Sequence, residues 1–497
     1  MAQPLRRSAI FLRRAWGPIN KPAVWDKPLD NASTNLGLMG VFRLCLGVSA
    51  RVSRTAYAVA GFTLMLLKYG VEASVIWTFT SSFLTPWHFL NPLISVRNEH
   101  LQAAPEWLAV GLLIWSLPFL WIATSMSVRR AADAGISAWL GLLVLIPIVN
   151  LIFMIVMCFI PSYREAQQSI KPQPINSNRR AYSAAIAVAT SLLVGATMLV
   201  CSVYFFASYG ASLFFGTPFL MSAVAAYLYN RPHPRGYLES LMVGIASVFF
   251  AGVAVLLFAL EGVICIAMVL PLFLPLGALG GLIGKVIADT TTQQTQGLLA
   301  AIVCLPLICC AESQLFRSPE YEVMTAVEID APPEVVWKNV VNFPDLPKAA
   351  PWYFRLGIAC PRRAHIEGQG VGAIRYCEFT TGTFVEPITV WDEPNQLAFD
   401  VTDQPAPMFE LSPYRHVHPP HLEGYLRSNR GQFLLIRRGD GGTRLEGRTW
   451  YEFDMFPQSY WTLWSDGLIH RIHQRVLSHI KQLSEAESQS HSKPFRS

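Results

Sequence analysis

"EVMTAVEIDAPPEVVWKNVVNF", residues 322–343, decides how this chain is read. Its first eight residues alternate polar and apolar, the pattern of a half-buried strand. Asp330 then offers a cap, Pro332 and Pro333 suit a first helical turn, and Val335, Val336, Val340 and Val341 recur at helical spacing. A strand that runs straight into an amphipathic helix opens a water-facing domain. What precedes it has a different character.

The chain of 497 residues is 52% apolar and 14% charged, against about 25% charged in ordinary soluble proteins. That balance points to a membrane protein. Crossing a bilayer takes about 20 apolar residues. The candidate stretches are 55–78, 105–127, 182–208, 211–229, 238–260, 262–286 and a short one at 297–312. Nine Lys/Arg stand against Asp26 and Asp30 in residues 1–54, whereas 19 Lys/Arg stand against 22 Asp/Glu from Phe316 onward. The basic excess is therefore N-terminal and reads as cytoplasmic loop charge. Nucleic-acid binding is not expected, because no basic helix with interleaved aromatics appears. "SAIFL" near the start is too short for the apolar core of a signal peptide. The nine cysteines show no zinc-ribbon or disulfide spacing.

The stretch "SAWLGLLVLIPIVNLIFMIVMCFIPS", 137–162, is a special case. A single span here would carry the basic loop of Arg164, Lys171, Arg179 and Arg180 to the outer side. A half-depth hairpin broken near Pro147 keeps that loop inside, and is the reading adopted. Pro271, Pro275 and several glycines suggest that 262–286 is broken as well. Lys68 and Glu72, four apart on one helix face, are expected to neutralise each other. Glu261 falls in a tight interfacial turn.

"RVSRTAY" (51–57) and "RRAADAGISAWLGLLVLIPIVN" (129–150) resemble the two signatures of the DUF805 family of bacterial inner-membrane proteins. Arg129, Arg130, Asp133, Gly135, Ser137 and Trp139 match, while Ala131 and Ala132 replace Leu-His. The resemblance implies membrane residence and no particular activity. Arg129, Arg130 and Asp133 read as a charged cytoplasmic turn. Ser137 and Trp139 read as a helix start at headgroup level.

Beyond residue 343 come strand-like runs at 372–379, 383–392, 396–403, 431–438 and 443–454, with "RGDGGT" (438–443) as a hairpin turn. A long helix follows from Tyr460, with Trp461, Trp464, Leu468, Ile469, Ile472, Val476, Ile480 and Leu483 on one stripe. The fold class is thus a multi-span α-helical membrane domain plus an α+β domain, a curved antiparallel sheet around a long C-terminal helix. "VEIDAPPEVVWKNVVNFPDLP" (327–347), "GVGAIRYCEF" (370–379), "VWDEPNQLAFDV" (390–401) and "GGTRLEGRTWYEF" (441–453) resemble the START-like, or SRPBCC, superfamily (polyketide cyclase/dehydrase-like, helix-grip). The resemblance implies a deep apolar cavity between sheet and helix. The domains read as a basic cytoplasmic segment 1–54, a DUF805-like membrane domain 55–160, further transmembrane helices 161–315, a START-like domain 316–486 and a disordered tail 487–497.

Alternation along 372–379 puts Tyr376 and Glu378 on one face and Arg375 and Cys377 on the other, without saying which is inside. Tyr376, Glu378, Glu386, Arg448, Trp450, Trp461, Trp464 and Leu468 are the candidate ligand-binding residues. The Pro-rich stretch 404–427 is long enough for a lid, with Met408, Phe409, Tyr414, His416, His418 and His421 as lid residues over the cavity mouth or at the bilayer. No metal is expected. His470 lies nearly opposite the apolar stripe of the last helix and His473 on its flank, so a three-histidine site with 416–421 is awkward. No cofactor motif is present.

The expected function is that of a multi-pass bacterial inner-membrane protein whose START-like domain binds an apolar ligand (lipid, isoprenoid or polyketide-like) for transfer, presentation or sensing. The expected partners are membrane lipids or another hydrophobic small molecule. One alternative is a membrane-tethered cyclase or dehydratase using Tyr376, Glu378 or Arg448. Another is a scaffold that binds a protein partner.

Overall fold

The computed structural model describes residues 38–48, 50–91, 100–101, 104–146, 149–163, 177–290, 295–315, 318–342, 344–346, 351–414 and 417–492. Most of the basic N-terminal segment, Pro147 and His416 lie outside the described residues. Besides the short helices Leu38–Leu46 and Pro86–Leu90, the α-helices described are α1 (Arg54–Thr80), α2 (Glu106–Asp133), α3 (Val149–Phe159), α4 (Ser177–Leu199), α5 (Thr217–Asn230), α6 (Tyr237–Leu257), α7 (Val263–Thr290), α8 (Thr295–Leu315), α9 (Pro333–Val341) and α10 (Gln458–Ser492). Among the described residues, seven helices are long and apolar enough to cross a membrane: α1, α2 and α4–α8, with α4 prolonged to Phe205. This is a multi-pass membrane protein. The chain divides into two compact units: Met1–Met198, Phe215–Ala251 and Leu272–Leu307 in the first; Leu199–Phe214, Gly252–Pro271 and Ile308–Ser497 in the second.

In the first unit, the segment after α2 is a short 3-10 helix, Ala138–Leu145, followed by α3 of 11 residues. Neither piece is long enough to span about 30 Å of hydrocarbon. The two ends of the segment meet. The Tyr163 N–H donates to the Asp133 carbonyl at 2.7 Å, and the Ser162 hydroxyl donates to Asp133 Oδ2 at 2.6 Å. Arg130 Nη1 donates to the same carboxylate at 2.6 Å, its Nε reaches the Met157 carbonyl at 3.0 Å, and its Nη2 reaches the Ile160 carbonyl. Asp133 and Tyr163 therefore lie side by side, the closure that a hairpin over this segment requires; its expected break at Pro147 lies outside the described residues.

The family-signature residues differ in role from the reading above. Arg129 and Arg130 are fully buried at the end of α2 rather than exposed in a turn. Arg129 donates to the Leu44 and Ser125 carbonyls. Guanidinium groups in such surroundings are tolerated because backbone carbonyls replace their water. Trp139 is buried, its ring edge-on to Tyr227 at 5.4 Å.

α7 is continuous, against the expectation of a break. Its glycines serve close packing instead. A Cβ at Gly280 would lie 2.2 Å from the Phe219 carbonyl oxygen, and one at Gly284 2.1 Å from that of Ala223. These glycines let α5 and α7 touch backbone to backbone. Lys68 and Glu72 form the expected pair on α1, with Glu72 buried and the ammonium 5.2 Å from the Phe89 ring centre.

The second unit holds an antiparallel sheet of seven strands: β1 (Glu320–Ile329), β2 (Pro361–Glu367), β3 (Ile374–Phe379), β4 (Gly382–Asp392), β5 (Gln396–Asp400), β6 (Leu426–Arg437) and β7 (Thr443–Phe453). The order is β1-β7-β6-β5-β4-β3-β2. α10 packs on this sheet, with Val476, Leu477 and Ile480 in one core cluster with Leu397, Phe433 and Leu445. α9 adds Val336, Trp337 and Val340 to the same cluster. This is the helix-grip architecture. α10 runs to Ser492 rather than ending at 486. Asn339 and Lys338 of α9 hold its last turns through Glu487, at 3.4 and 3.8 Å.

Candidate functional site

Which face of the sheet is internal follows from what touches α10. Along β7, Gly447 lies under Leu477, the Thr449 hydroxyl meets His473 Nε2 at 2.8 Å, and Tyr451 Oη meets Ser465 Oγ at 2.7 Å. Residues 445, 447, 449 and 451 therefore face the helix. By the period of two, Glu446, Arg448 and Trp450 face away. Arg448 pairs there with Glu446 at 2.9 Å and Glu322 at 3.2 Å, and Trp450 lies under the Arg430 guanidinium. Arg448 and Trp450 are thus on the outer face, not at a cavity.

The same logic orients β3. Arg375 and Cys377 are buried, at 3% and 5% exposure, and Tyr376 and Glu378 are on the outside. Tyr376 stacks on His365, and Glu378 pairs with the half-exposed Arg363 at 2.8 Å. The hydrogen bond from Arg363 holds the Glu378 carboxyl below its usual range. This places Tyr376 and Glu378 opposite to where the candidate set had them. Their alternation was read correctly; which face is internal had been left open. The alternative mechanism that used Tyr376, Glu378 or Arg448 as acid–base groups loses its inward orientation with them.

Glu386 is the candidate that does face inward. It stands in register with Arg375 across the β3–β4 hairpin, and the two form an ion pair. Both are buried, and Ile388 and Cys377 flank them on the same face. The Arg375 guanidinium lies 4.9 Å from the Phe399 ring centre and 5.5 Å from that of Phe433. Burial outweighs the neighbouring cation and pushes the Glu386 carboxyl up. Burial likewise pushes the Cys377 thiol up to about 12, which keeps it a thiol at neutral pH. Two charges, one thiol and two aromatic faces make a polar anchor within an apolar wall. Sequence reasoning named Glu386 and left Arg375 undirected. A signal for it existed: Phe379 pairs with Gly382, so the two-residue turn between them puts Arg375 opposite Glu386.

A cleft of about 630 Å³ opens beside β2, lined by Asn342, Pro344, Asp345, Arg363, Ala364 and His365. Its walls are as polar as they are apolar, unlike the apolar cavity implied by the resemblance. Ala364 also belongs to the core cluster and pairs in register with Cys377.

His470, expected nearly opposite the apolar stripe, turns towards the sheet beside His473. Both reach the Thr325 hydroxyl on β1, at 2.8 and 3.1 Å. Burial and the neighbouring His470 lower the His473 pKa to about 4, so it is neutral at physiological pH. Trp461 is buried, 5.3 Å from Phe214 and 6.4 Å from Phe453 between ring centres. Trp464 is exposed and Leu468 half-buried.

The 404–427 segment is held by contacts other than those of a lid over the cavity mouth. The Phe409 N–H donates to the Gly357 carbonyl at 2.8 Å and the Ala359 N–H to the Pro407 carbonyl at 2.9 Å, beside a bridge between Ile358 and Met408. Farther on, the Val263 N–H donates to the Leu411 carbonyl at 2.8 Å and Tyr414 Oη to the Leu257 carbonyl at 2.7 Å. The segment is strapped to the turn between α6 and α7. His418 is exposed, and His421 points into that turn.

Fold and site together define a multi-pass membrane protein that carries a helix-grip domain. The family described as "Protein of unknown function (DUF805)" matches residues 45–168, the stretch that contains the contact between Asp133 and Tyr163. No curated protein matches the chain. Among solved structures, a structural-genomics protein from Nitrosospira multiformis is 19% identical, with 34% of this chain and 99% of that chain covered and a TM-score of 0.23. A truncated norcoclaurine synthase from Thalictrum flavum is 13% identical, with 34% and 95% covered and a TM-score of 0.23.

Proposed function

We propose that the helix-grip domain binds an apolar ligand with a polar end, a membrane lipid or isoprenoid in type, and presents or senses it at the membrane. The carrying observation is the Arg375–Glu386 pair, buried against Phe399 and Phe433. A buried ion pair is close to neutral for stability against an apolar replacement, so stability alone gives no reason for it. A ligand headgroup to be oriented gives one. The cleft beside β2 is the way in, because Ala364 joins its lining to Cys377 and the anchor. A domain tied to the bilayer also meets such ligands at high effective concentration.

The full chain, purified in mild detergent, is extracted and its lipids are identified by mass spectrometry. Wild type is expected to retain a distinct lipid that the double variant Arg375→Met/Glu386→Leu has lost. Identical extracts from both would overturn the reading. Recovery of a stoichiometric protein in place of a lipid would favour the scaffold alternative.

The side of the membrane follows from parity. With the hairpin re-entrant, seven crossings separate the N-terminus from the C-terminal domain. The segments that join that domain in one unit, 199–214 and 252–271, hold the short links after the third and fifth crossings, on its own side. Arg129, Arg130, Arg231 and Arg235 all fall on the N-terminal side, which positive-inside logic makes cytoplasmic. We infer an extracytoplasmic helix-grip domain on a bacterial inner membrane. Alkaline phosphatase fused after Ser497 is expected to be active, and green fluorescent protein at the same place dark. A bright fluorescent fusion would reverse the assignment.

A further inference from the structure

The strapped segment and the α6–α7 turn bring together side chains that the ligand-binding reading does not use. Glu261 lies just before α7 and Cys265 in its first turn, which the Ile266 N–H ties to the Gly262 carbonyl at 3.1 Å. His421 enters from the short helix Pro420–Leu422. Glu410 enters beside Leu411, whose carbonyl is fixed to Val263. Cys265 Sγ is 2.6 Å from Glu410 Oε1 and 3.1 Å from His421 Nε2. His421 Nδ1 is 3.2 Å from Glu261 Oε1, with a tenth of its side chain exposed. Single donor atoms of Glu261, Cys265 and His421 all fall within 4.8 Å of one another.

These groups are poorly satisfied by each other. Glu261 Oε2, Glu410 Oε2 and His421 Nδ1 are buried without a hydrogen-bond partner, Nδ1 being out of line for its neighbour Glu261. Among the described residues, the one ion pair made by either carboxylate is that of Glu261 with His421. Two carboxylates so placed carry an uncompensated desolvation cost. A divalent cation removes it. The donors also state which cation: thiol and imidazole suit zinc and its first-row neighbours, and magnesium and calcium prefer oxygen alone. Tyr209 closes one side, its ring 5.8 Å from that of His421 and 4.8 Å from that of Tyr425. Gly262 gives the room, since a Cβ there would lie 1.7 Å from Glu410 Oε2.

We propose that Glu261, Cys265 and His421 bind a zinc-type divalent ion that locks the 404–427 strap to the α6–α7 turn. This revises the expectation of no metal. On binding, the Cys265 S–H bond breaks and an S–metal bond forms. The proton leaves through the Glu410 carboxylate, which already accepts the thiol hydrogen bond. No change of oxidation state is involved. Sequence reading missed the site because its donors are some 150 residues apart in the chain.

The test uses the full chain in detergent, loaded with Zn²⁺, dialysed against a weak chelator, and analysed for metal by mass spectrometry. Wild type is expected to keep close to one equivalent per chain. Cys265→Ser and His421→Gln are expected to lose about tenfold or more in affinity. Cys304→Ser, an exposed cysteine on α8, should match wild type. Loading wild type with Co²⁺ supplies a readout that needs no variant, a thiolate-to-cobalt absorption band in the near ultraviolet. No retained zinc in wild type, retention equal to that of Cys265→Ser, or a missing cobalt band would each overturn the proposal.

Discussion

Arg375→Met is expected to destabilise the helix-grip domain by about 3–5 kcal/mol, and Arg375→Met/Glu386→Leu to recover most of that loss. The single change leaves Glu386 buried beside Phe399 and Phe433 without its cation. Its carboxyl, already pushed up by burial, must then take a proton or draw in water. Replacing both partners removes both desolvation costs and fills the space with apolar atoms. The measurement is chemical denaturation of the full chain in detergent, followed by tryptophan fluorescence, for wild type, both single variants and the double. Equal losses in single and double variants would show that the pair adds stability of its own. That outcome would also remove the reason for giving it a headgroup to hold. The stability and lipid readouts are thereby separable: the double variant should fold and fail to bind.

The second large effect is one of pH. His473 is neutral in the fold, with its pKa lowered from 6.5 to about 4. Between these values the unfolded chain binds more protons than the folded one, so stability rises with pH in that window. The contribution is fully present above about pH 6.5 and is lost as the pH falls towards 4. At about 1.4 kcal/mol per pKa unit, the loss approaches 3 kcal/mol. Thr325, Thr449 and His470 are the polar groups that face it. Asp466, Glu386 and the other titrating groups are common to wild type and His473→Gln, so the difference between their denaturation midpoints across pH isolates this residue. A difference that stays constant from pH 7 to 4.5 would sink the assignment.

Much of this architecture was legible in advance. Apolar run length alone marked the seven helices suited to crossing a membrane, because a bilayer sets a minimum length and no soluble element needs it. The strand at 322–329 and the helix after it were legible from period and proline placement. Charge on either side of residues 137–162 was enough to argue a hairpin. The site was less legible. Of the eight ligand-binding candidates, Glu386 is the buried ionisable group, and its partner Arg375 had been set on an undecided face.

Alternation along "IRYCEF" determined that Arg375 and Cys377 share one face and Tyr376 and Glu378 the other. It did not determine which face meets α10, because a period of two is symmetric and only burial breaks that symmetry. The signature Arg130 and Asp133 were visible as charges. Their closure of the hairpin on Tyr163 required the chain to return. The cluster of Glu261, Cys265 and His421 goes furthest in this direction, since short-range pattern carries no information about donors that meet only when two distant segments dock. Local order, the apolar runs and the alternation of each strand belonged to the sequence. The inward face, the buried pair and the thiol–imidazole–carboxylate cluster were decided by packing, because burial and long-range proximity are properties of the folded chain.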